Sequence, residues 1–291
     1  PDMLLSLMGS PDHLQIDGLG GAVATASKVA IVSQSDSPDV DVDYLFAQVS
    51  VDKPIVSYRG NCGNMASAVG PFAIEAGLVQ ATDPMTRVRI HNVNTGKIIV
   101  AQVPTENGRV LYEGDLEIAG VPGTGASIKM LFQNPAGSVT GALLPTGRVV
   151  DTLEIPDFGS LEVSFVDSSN PLVFVRASDI SMTGKELPGE IDAHATLMDL
   201  LEKIRGIAAV SLGFITDYRD SRTKSPTVPK LVVVSAPQSY LSATGKMIES
   251  EHMDILCRQM SMQKTHKNYA LTGALCTASS AIVPDRKSTR L

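Results

Sequence analysis

The chain has 291 residues, with 24 Lys and Arg against 31 Asp and Glu, a formal net charge of −7, and 43% apolar side chains. That length and apolar content suffice for one large domain or two medium ones with a buried core, and they exclude a disordered chain. Each apolar run is broken by Ser, Gly, Pro or a charge before the roughly 18 residues of a membrane span, and an acidic chain with seven Phe, six Tyr and no basic cluster argues against a nucleic-acid surface.

In chain order, a β-branched run at 29–32 follows a glycine-rich turn (Gly18, Gly20, Gly21), and 44–51 reads as a second strand. Residues 65–78 predict a helix. Met65, Ala66, Ala68, Val69, Phe72, Ala73, Ile74 and Ala76 cover nearly its whole circumference, the pattern of a helix buried on all sides, and Pro71 should kink or restart it. Strands at 88–93 and 97–103 flank Asn94-Thr95-Gly96, a turn in which Asn and Gly supply positive φ. Runs at 110–118 and 127–132 extend the sheet, so the first half reads as a sheet wrapped around a central helix.

Residues 135–157 are rich in Gly, Pro and Thr and form the expected link between domains. Beyond them, 161–166, 172–175 and 231–235 read as strands. Residues 194–209 predict an amphipathic helix with Leu197, Leu201, Ile204 and Ala208 on one stripe, and 251–262 predict another. A second small-residue helix, apolar on most sides, is expected at 268–282. The whole is an α+β chain of two domains, 1–142 and 143–284. The last seven residues, Asp285 to Leu291 (DRKSTRL), match the in-frame translation of a common sequencing-library adapter, so 285–291 is expected to be foreign to the fold.

Three cysteines, Cys62, Cys257 and Cys276, without CxxC spacing speak against a disulfide framework or a structural zinc site and for a reducing, cytoplasmic setting; residues 1–10 lack a basic leader. The most informative segment is Arg59-Gly-Asn-Cys-Gly-Asn64. It sets Cys62 just before the buried helix, where unsatisfied backbone N–H groups and the macrodipole favour an anion, so a thiolate there can act as base or nucleophile. The plainer reading is a small buried Cys in a tight turn. Asn61, Gly63 and Asn64 around it could hold an anionic ligand through backbone N–H groups, as could Thr272 and Gly273 at the start of the second small-residue helix. Helix capping explains Asn64 and Thr272 equally well. Asn94 is a further ligand candidate or simply a turn residue.

Asp17-Gly-Leu-Gly-Gly21 has neither the spacing nor the strand–loop–helix order of a phosphate loop. Lys28 follows it and opens an apolar run, so it reads either as a solvated strand-end lysine or as a lysine held where it can serve as a base. The five histidines show no metal-ligand spacing, and no serine sits in a nucleophile elbow. Cys276 and Cys257 read as packing residues. No flavin, pyridoxal or nicotinamide signature is present, so no cofactor and no metal is expected.

Several blocks together resemble the PrpF family of aconitate-type isomerases, which have a diaminopimelate-epimerase-like fold. They are DGLGGAVATASKVAIV from Asp17, DYLFAQV from Asp43, GNCGNMASAVGPFAIEAGLV from Gly60, NVNTGK from Asn92, VDSSNPLVFV from Val166 and SMQKTHKNYALTGALCTA from Ser261. The resemblance implies two domains, each a mixed sheet curled around a central helix, with the active site in the cleft between them. It further implies Lys28 and Cys62 as the catalytic pair, moving or reorienting a C=C bond in an unsaturated di- or tricarboxylate of the aconitate, methylaconitate or oxalomesaconate type, as in propionate catabolism. The family has an Arg-Gly-Gly-Thr-Ser loop upstream and strands downstream, so a fragment cut at both ends is expected. Amino-acid epimerases of this fold carry a Cys at both helix starts, whereas the second start here reads Leu271-Thr272-Gly273, which disfavours a two-thiol racemase. The implied partner is a small polycarboxylate, with no nucleic acid and no membrane, and a homodimer is left open. A non-catalytic accessory protein for a methylcitrate-pathway dehydratase remains the alternative.

Overall fold

The computed structural model of the chain describes residues 1–119 and 121–283, in two units, Pro1–Pro135 and Ala136–Leu291. In the first unit, helix α1 (Asp2–Met8) is followed by β1 (Lys28–Gln34), β2 (Val42–Val49), β3 (Val56–Ser57) and α2 (Gly63–Glu75). Then come β4 (Met85–Asn92), β5 (Lys97–Glu106), β6 (Arg109–Val110), a small ribbon of β7 (Leu116–Glu117) and β8 (Thr124–Gly125), and β9 (Lys129–Phe132). The main sheet runs β1-β2-β4-β5-β6, with β3 beside β2 and β9 beside β5; only the β2–β4 pair is parallel. The β4–β5 hairpin pairs Met85 with Pro104 through to Asn92 with Lys97, and its turn closes where expected, with Gly96 at φ 64, although Asn94 does not take the positive φ expected of it. Strict alternation along β4 sends Thr86, Val88, Ile90 and Asn92 inward, the period of a strand with one buried face.

Helix α2 packs on β1, β2, β4, β5 and β6. Ala66, Val69, Ala73 and Ile74 meet Val42, Tyr44, Val88, Ile90, Ala101 and Val103 in one core. Two expectations are corrected here. The helix is not covered on all sides, because Asn64, Ala68 and Phe72 lie on an exposed stripe and Phe72 is 53% accessible. Pro71 neither ends nor restarts it, since one forfeited backbone bond is outweighed by the burial of the residues on either side.

The second unit contains β10 (Asp151–Ile155), β11 (Gly159–Asp167), β12 (Pro171–Arg176), α3 (Pro188–Ala193), α4 (Ala195–Ser211) and α5 (Ser221–Lys224). They lead into β13 (Lys230–Ser235), the ribbon β14 (Tyr240–Leu241) and β15 (Met247–Ile248), β16 (Leu256–Ser261), β17 (Lys264–Thr265) and α6 (Leu271–Ala281). Its six-stranded sheet runs β10-β11-β12-β13-β16-β17, parallel only at β12–β13, where the helical crossover intervenes. Alternate residues of the central strands serve opposite faces. Val173, Val175, Leu231 and Val233 join Leu201, Ile204 and Ala208 of α4, while Leu172, Phe174, Val232 and Val234 join Cys276 of α6.

The helix expected at 251–262 is a strand over its second half, Leu256–Ser261. Cys257 and Gln259 point to one face and Arg258 and Met260 to the other, and the backbone pairs with β13 from Ser235↔Leu256 to Val232↔Gln259, so ladder pairing overrides local helix propensity. The division into units falls at Pro135, ahead of the expected boundary at 142/143. The reason is the buried carboxylate of Asp167, which accepts from Ser138 Oγ (2.5 Å), Val139 N (2.7 Å), Thr140 N (2.7 Å) and Thr140 Oγ1 (2.9 Å), tying the supposed linker to β11. The tail expected at 285–291 lies outside the described residues. Among those described, no helix is long and apolar enough to cross a membrane.

The contact of α2 with β5 yields a test. A Cβ on Gly70 would stand 2.8 Å from Val103 Cγ2 and 2.9 Å from Ala101 Cβ. Gly70→Ala should therefore lower stability by about 1–3 kcal/mol in urea unfolding, despite the better helix propensity of Ala.

Candidate active site

Lys28 is the first residue of β1, and its position is set from behind. Ser27 is fully buried; its Oγ receives Gln15 Nε2 (2.8 Å) and its carbonyl receives Gln48 Nε2 (2.9 Å) and the Val49 N–H (3.1 Å). Gln15 lies against Gly20 so closely that a side chain at 20 would overlap its amide, and its Oε1 accepts the Ala22 N–H at 3.0 Å. The glycine loop is therefore a seat for Gln15, and through Gln15 it fixes the start of β1.

Cys62 is the N-cap residue of α2, in extended backbone conformation and 8% accessible. Lys28 Nζ lies 3.7 Å from Cys62 Sγ, so the two residues singled out 34 positions apart meet inside one unit. Among the described residues no side chain caps the helix, and Gly63 and Asn64 stand in its first turn beside the thiol. Tyr44 donates from its hydroxyl to the Cys62 carbonyl at 3.4 Å. Burial, and then the neighbouring Cys62, push the Tyr44 phenol well above its usual range, so it stays a neutral donor.

Asn61 is held by a residue the sequence reading passed over. Asn92, fully buried at the end of β4, donates from Nδ2 to Asn61 Oδ1 at 3.0 Å and accepts at Oδ1 from the N–H and hydroxyl of Thr95, both at 3.1 Å. Its only signal was its place in NVNTGK. Asn94, by contrast, serves as a brace. Its Nδ2 spends both hydrogens on the carbonyls of Phe46 (2.9 Å) and Tyr58 (2.7 Å), and its Oδ1 accepts the Phe46 N–H at 2.8 Å.

In the second unit, Thr272 and Gly273 do sit in the first turn of α6, and no side chain caps that helix either. The Thr272 side chain turns to Asn170, whose Nδ2 donates to Oγ1 at 3.3 Å. Cys276 is buried, its Sγ donating to the Val166 carbonyl at 3.5 Å, and burial pushes the Cys257 thiol up to about 12. Neither stands at a helix start, so the second unit has no counterpart of Cys62. Among the described residues no group of three His, Cys, Asp or Glu is arranged to hold a metal ion.

Comparison with known proteins places these features in company. The family described as PrpF protein matches residues 1–290. The chain is 47% identical over 283 residues to a 3-methylitaconate isomerase of Eubacterium barkeri, covering 97% of this chain and 74% of that protein. It is 39% identical over 291 residues to a 2-methyl-aconitate isomerase of Shewanella oneidensis, covering 97% and 73%. A crystal structure of methylitaconate-delta-isomerase superposes with a TM-score of 0.81 at 45% identity, over 99% of this chain and 74% of that one. A hydroxyproline epimerase from Agrobacterium vitis shares the α+β fold alone, with a TM-score of 0.56 at 11% identity over 96% of this chain and 64% of that one. The match over 1–290 takes in all but the last residue of the tail set aside at 285–291 and, correcting the expectation of a truncated fragment, covers nearly the full chain.

The brace assigned to Asn94 is open to measurement. Asn94→Ala should cost on the order of 2 kcal/mol of stability, the loss of several partly buried hydrogen bonds, read as a lowered urea midpoint. A side chain that only touched substrate would leave that midpoint where it is.

Proposed function

This chain belongs to the PrpF family and is an isomerase, and we propose that it moves or reorients the double bond of a methylitaconate- or methylaconitate-type acid by proton transfer at Lys28 and Cys62. The observation that carries this reading is the 3.7 Å approach of Lys28 Nζ to Cys62 Sγ at the start of α2. A C–H next to both a double bond and a carboxylate is weakly acidic. Its carbanion is delocalised over the allyl system and needs donors and positive charge close by. One member of the pair takes the proton, and a proton is returned at another carbon, so the double bond shifts with no net change in atoms or electrons. The pair can be read as amine with thiol or as ammonium with thiolate. Both have the same net charge and both provide one basic and one acidic partner, so either residue can begin the cycle. Hydrogen leaves and returns as a proton, and the reaction requires no redox partner.

Substrate carboxylates are assigned to backbone N–H groups around Asn61, Gly63 and Asn64 and around Thr272 and Gly273, where two uncapped helices begin. Each unit is read as diaminopimelate-epimerase-like, a sheet curled around a helix. The single thiol at a helix start favours transfer between two different carbons over inversion at one.

In deuterated water, incubation with methylitaconate, 2-methylaconitate or aconitate should give isomer exchange with deuterium entering at the allylic carbons, followed by NMR. Neither exchange nor uptake with any of these acids would favour a binding protein. Lys28→Ala and Cys62→Ala should each lower turnover by on the order of 10²-fold or more. Cys276→Ala should keep near-normal turnover and lose only stability. Near-normal turnover in a folded Cys62→Ala protein would make the thiol a packing residue.

A further inference from the structure

We infer that the side-chain amide of Gln259 is a carboxylate donor at the start of α6, an inference that rests on the isomerase reading and names a residue within its second anion site. Gln259 stands on β16, inside the second-unit sheet, and is 1% accessible. Its Oε1 accepts the N–H of Ala270, the N-cap residue of α6, at 3.1 Å. Only the oxygen of a carboxamide can accept, so this bond fixes which end is nitrogen. A Cβ built on Gly273 would lie 2.6 Å from Oε1 and 2.7 Å from Nε2, so the amide rests directly on the first turn of the helix, in space that only glycine leaves vacant.

Nε2 is buried and has no hydrogen-bond partner among the described residues. A buried amide nitrogen with its donors unspent forfeits its hydration without return, and native proteins give such groups a partner. The place where this one stands is the start of an uncapped eleven-residue helix, whose backbone N–H groups and dipole favour an anion. A carboxylate has two oxygens in one plane. One can take a helix N–H and the other the Gln259 amide, which gives a neutral two-point grip suited to an acid. A Cβ at position 273 would displace the Gln259 amide from this place.

The test uses the full chain and tricarballylate, a saturated tricarboxylate that cannot isomerise, so that binding is read apart from turnover. Gln259→Met keeps length and removes the donors. Gln259→Glu keeps the acceptor for Ala270, removes the donors and adds a negative charge. By calorimetry at neutral pH, Kd should rise at least tenfold for Gln259→Met and further for Gln259→Glu, with unchanged circular dichroism. In the wild-type protein, the Gln259 side-chain amide protons should shift in NMR spectra as tricarballylate is added, a readout that survives if a variant fails to fold. Kd within twofold of wild type in a folded variant, or amide signals that do not move at saturation, would overturn the inference; so would failure of the wild-type chain to bind. Turnover of methylitaconate with an unchanged variant Kd would sink the donor and leave the isomerase reading standing. A Gln259-dependent Kd without any isomer exchange would do the reverse.

Discussion

The buried amide of Asn92 is the fixed point of the candidate site. It ends β4, the central strand on which α2 rests, and reaches sideways to Asn61, one residue before Cys62. Its oxygen closes the β4–β5 turn through Thr95. Two positions on, Asn94 uses the same turn to grip β2 at Phe46 and the segment after β3 at Tyr58. One hairpin thereby holds both flanks of the loop that delivers the thiol. Such buried amides cost free energy when unpaired and give rigidity when paired, and here each bond is made. That grip adds to the Tyr44 bond on the Cys62 carbonyl in holding the 3.7 Å approach of Lys28 to Cys62.

The two units use one packing device to different ends. In each, a glutamine amide lies against a glycine that has no room for a Cβ: Gln15 on Gly20 and Gln259 on Gly273. The first amide is fully spent. Its nitrogen reaches Ser10 and Ser27 and its oxygen receives Ala22, so its effect is to lock the residue before Lys28. The second spends only its oxygen. A satisfied amide is a structural pin. An unsatisfied one at an uncapped helix start retains donors for something that arrives.

Much of this was open to the sequence. Periodicity located β1, β2, β4, β5, β11, β12 and β13 and the helices α2, α4 and α6, because each has a strong apolar pattern over its own length. The conjunction of NCGN with the start of a small-residue helix and of Lys28 with a β-branched run directed attention to the residues that the fold brings together. The helix expected at 251–262 failed for a reason local pattern cannot hold: the segment has a partner in β13, and ladder pairing across more than twenty residues outweighs propensity. Asp167 likewise drew residues 138–140 into the second unit through bonds that composition does not report.

Sequence by itself determined the α+β character and the family, since these rest on residue type and on spacing along the chain, and the family resemblance pointed to Lys28 and Cys62. Tertiary structure alone decided that Lys28 and Cys62 stand 3.7 Å apart and that Asn94, left open between ligand and turn residue, braces β2 and the segment after β3. It also decided that Asn92, Tyr44 and Gln259 belong to the helix starts. The reason is physical. A polar side chain acquires its role from whichever donors and acceptors surround it after burial, and those come from strands and turns far away in the chain.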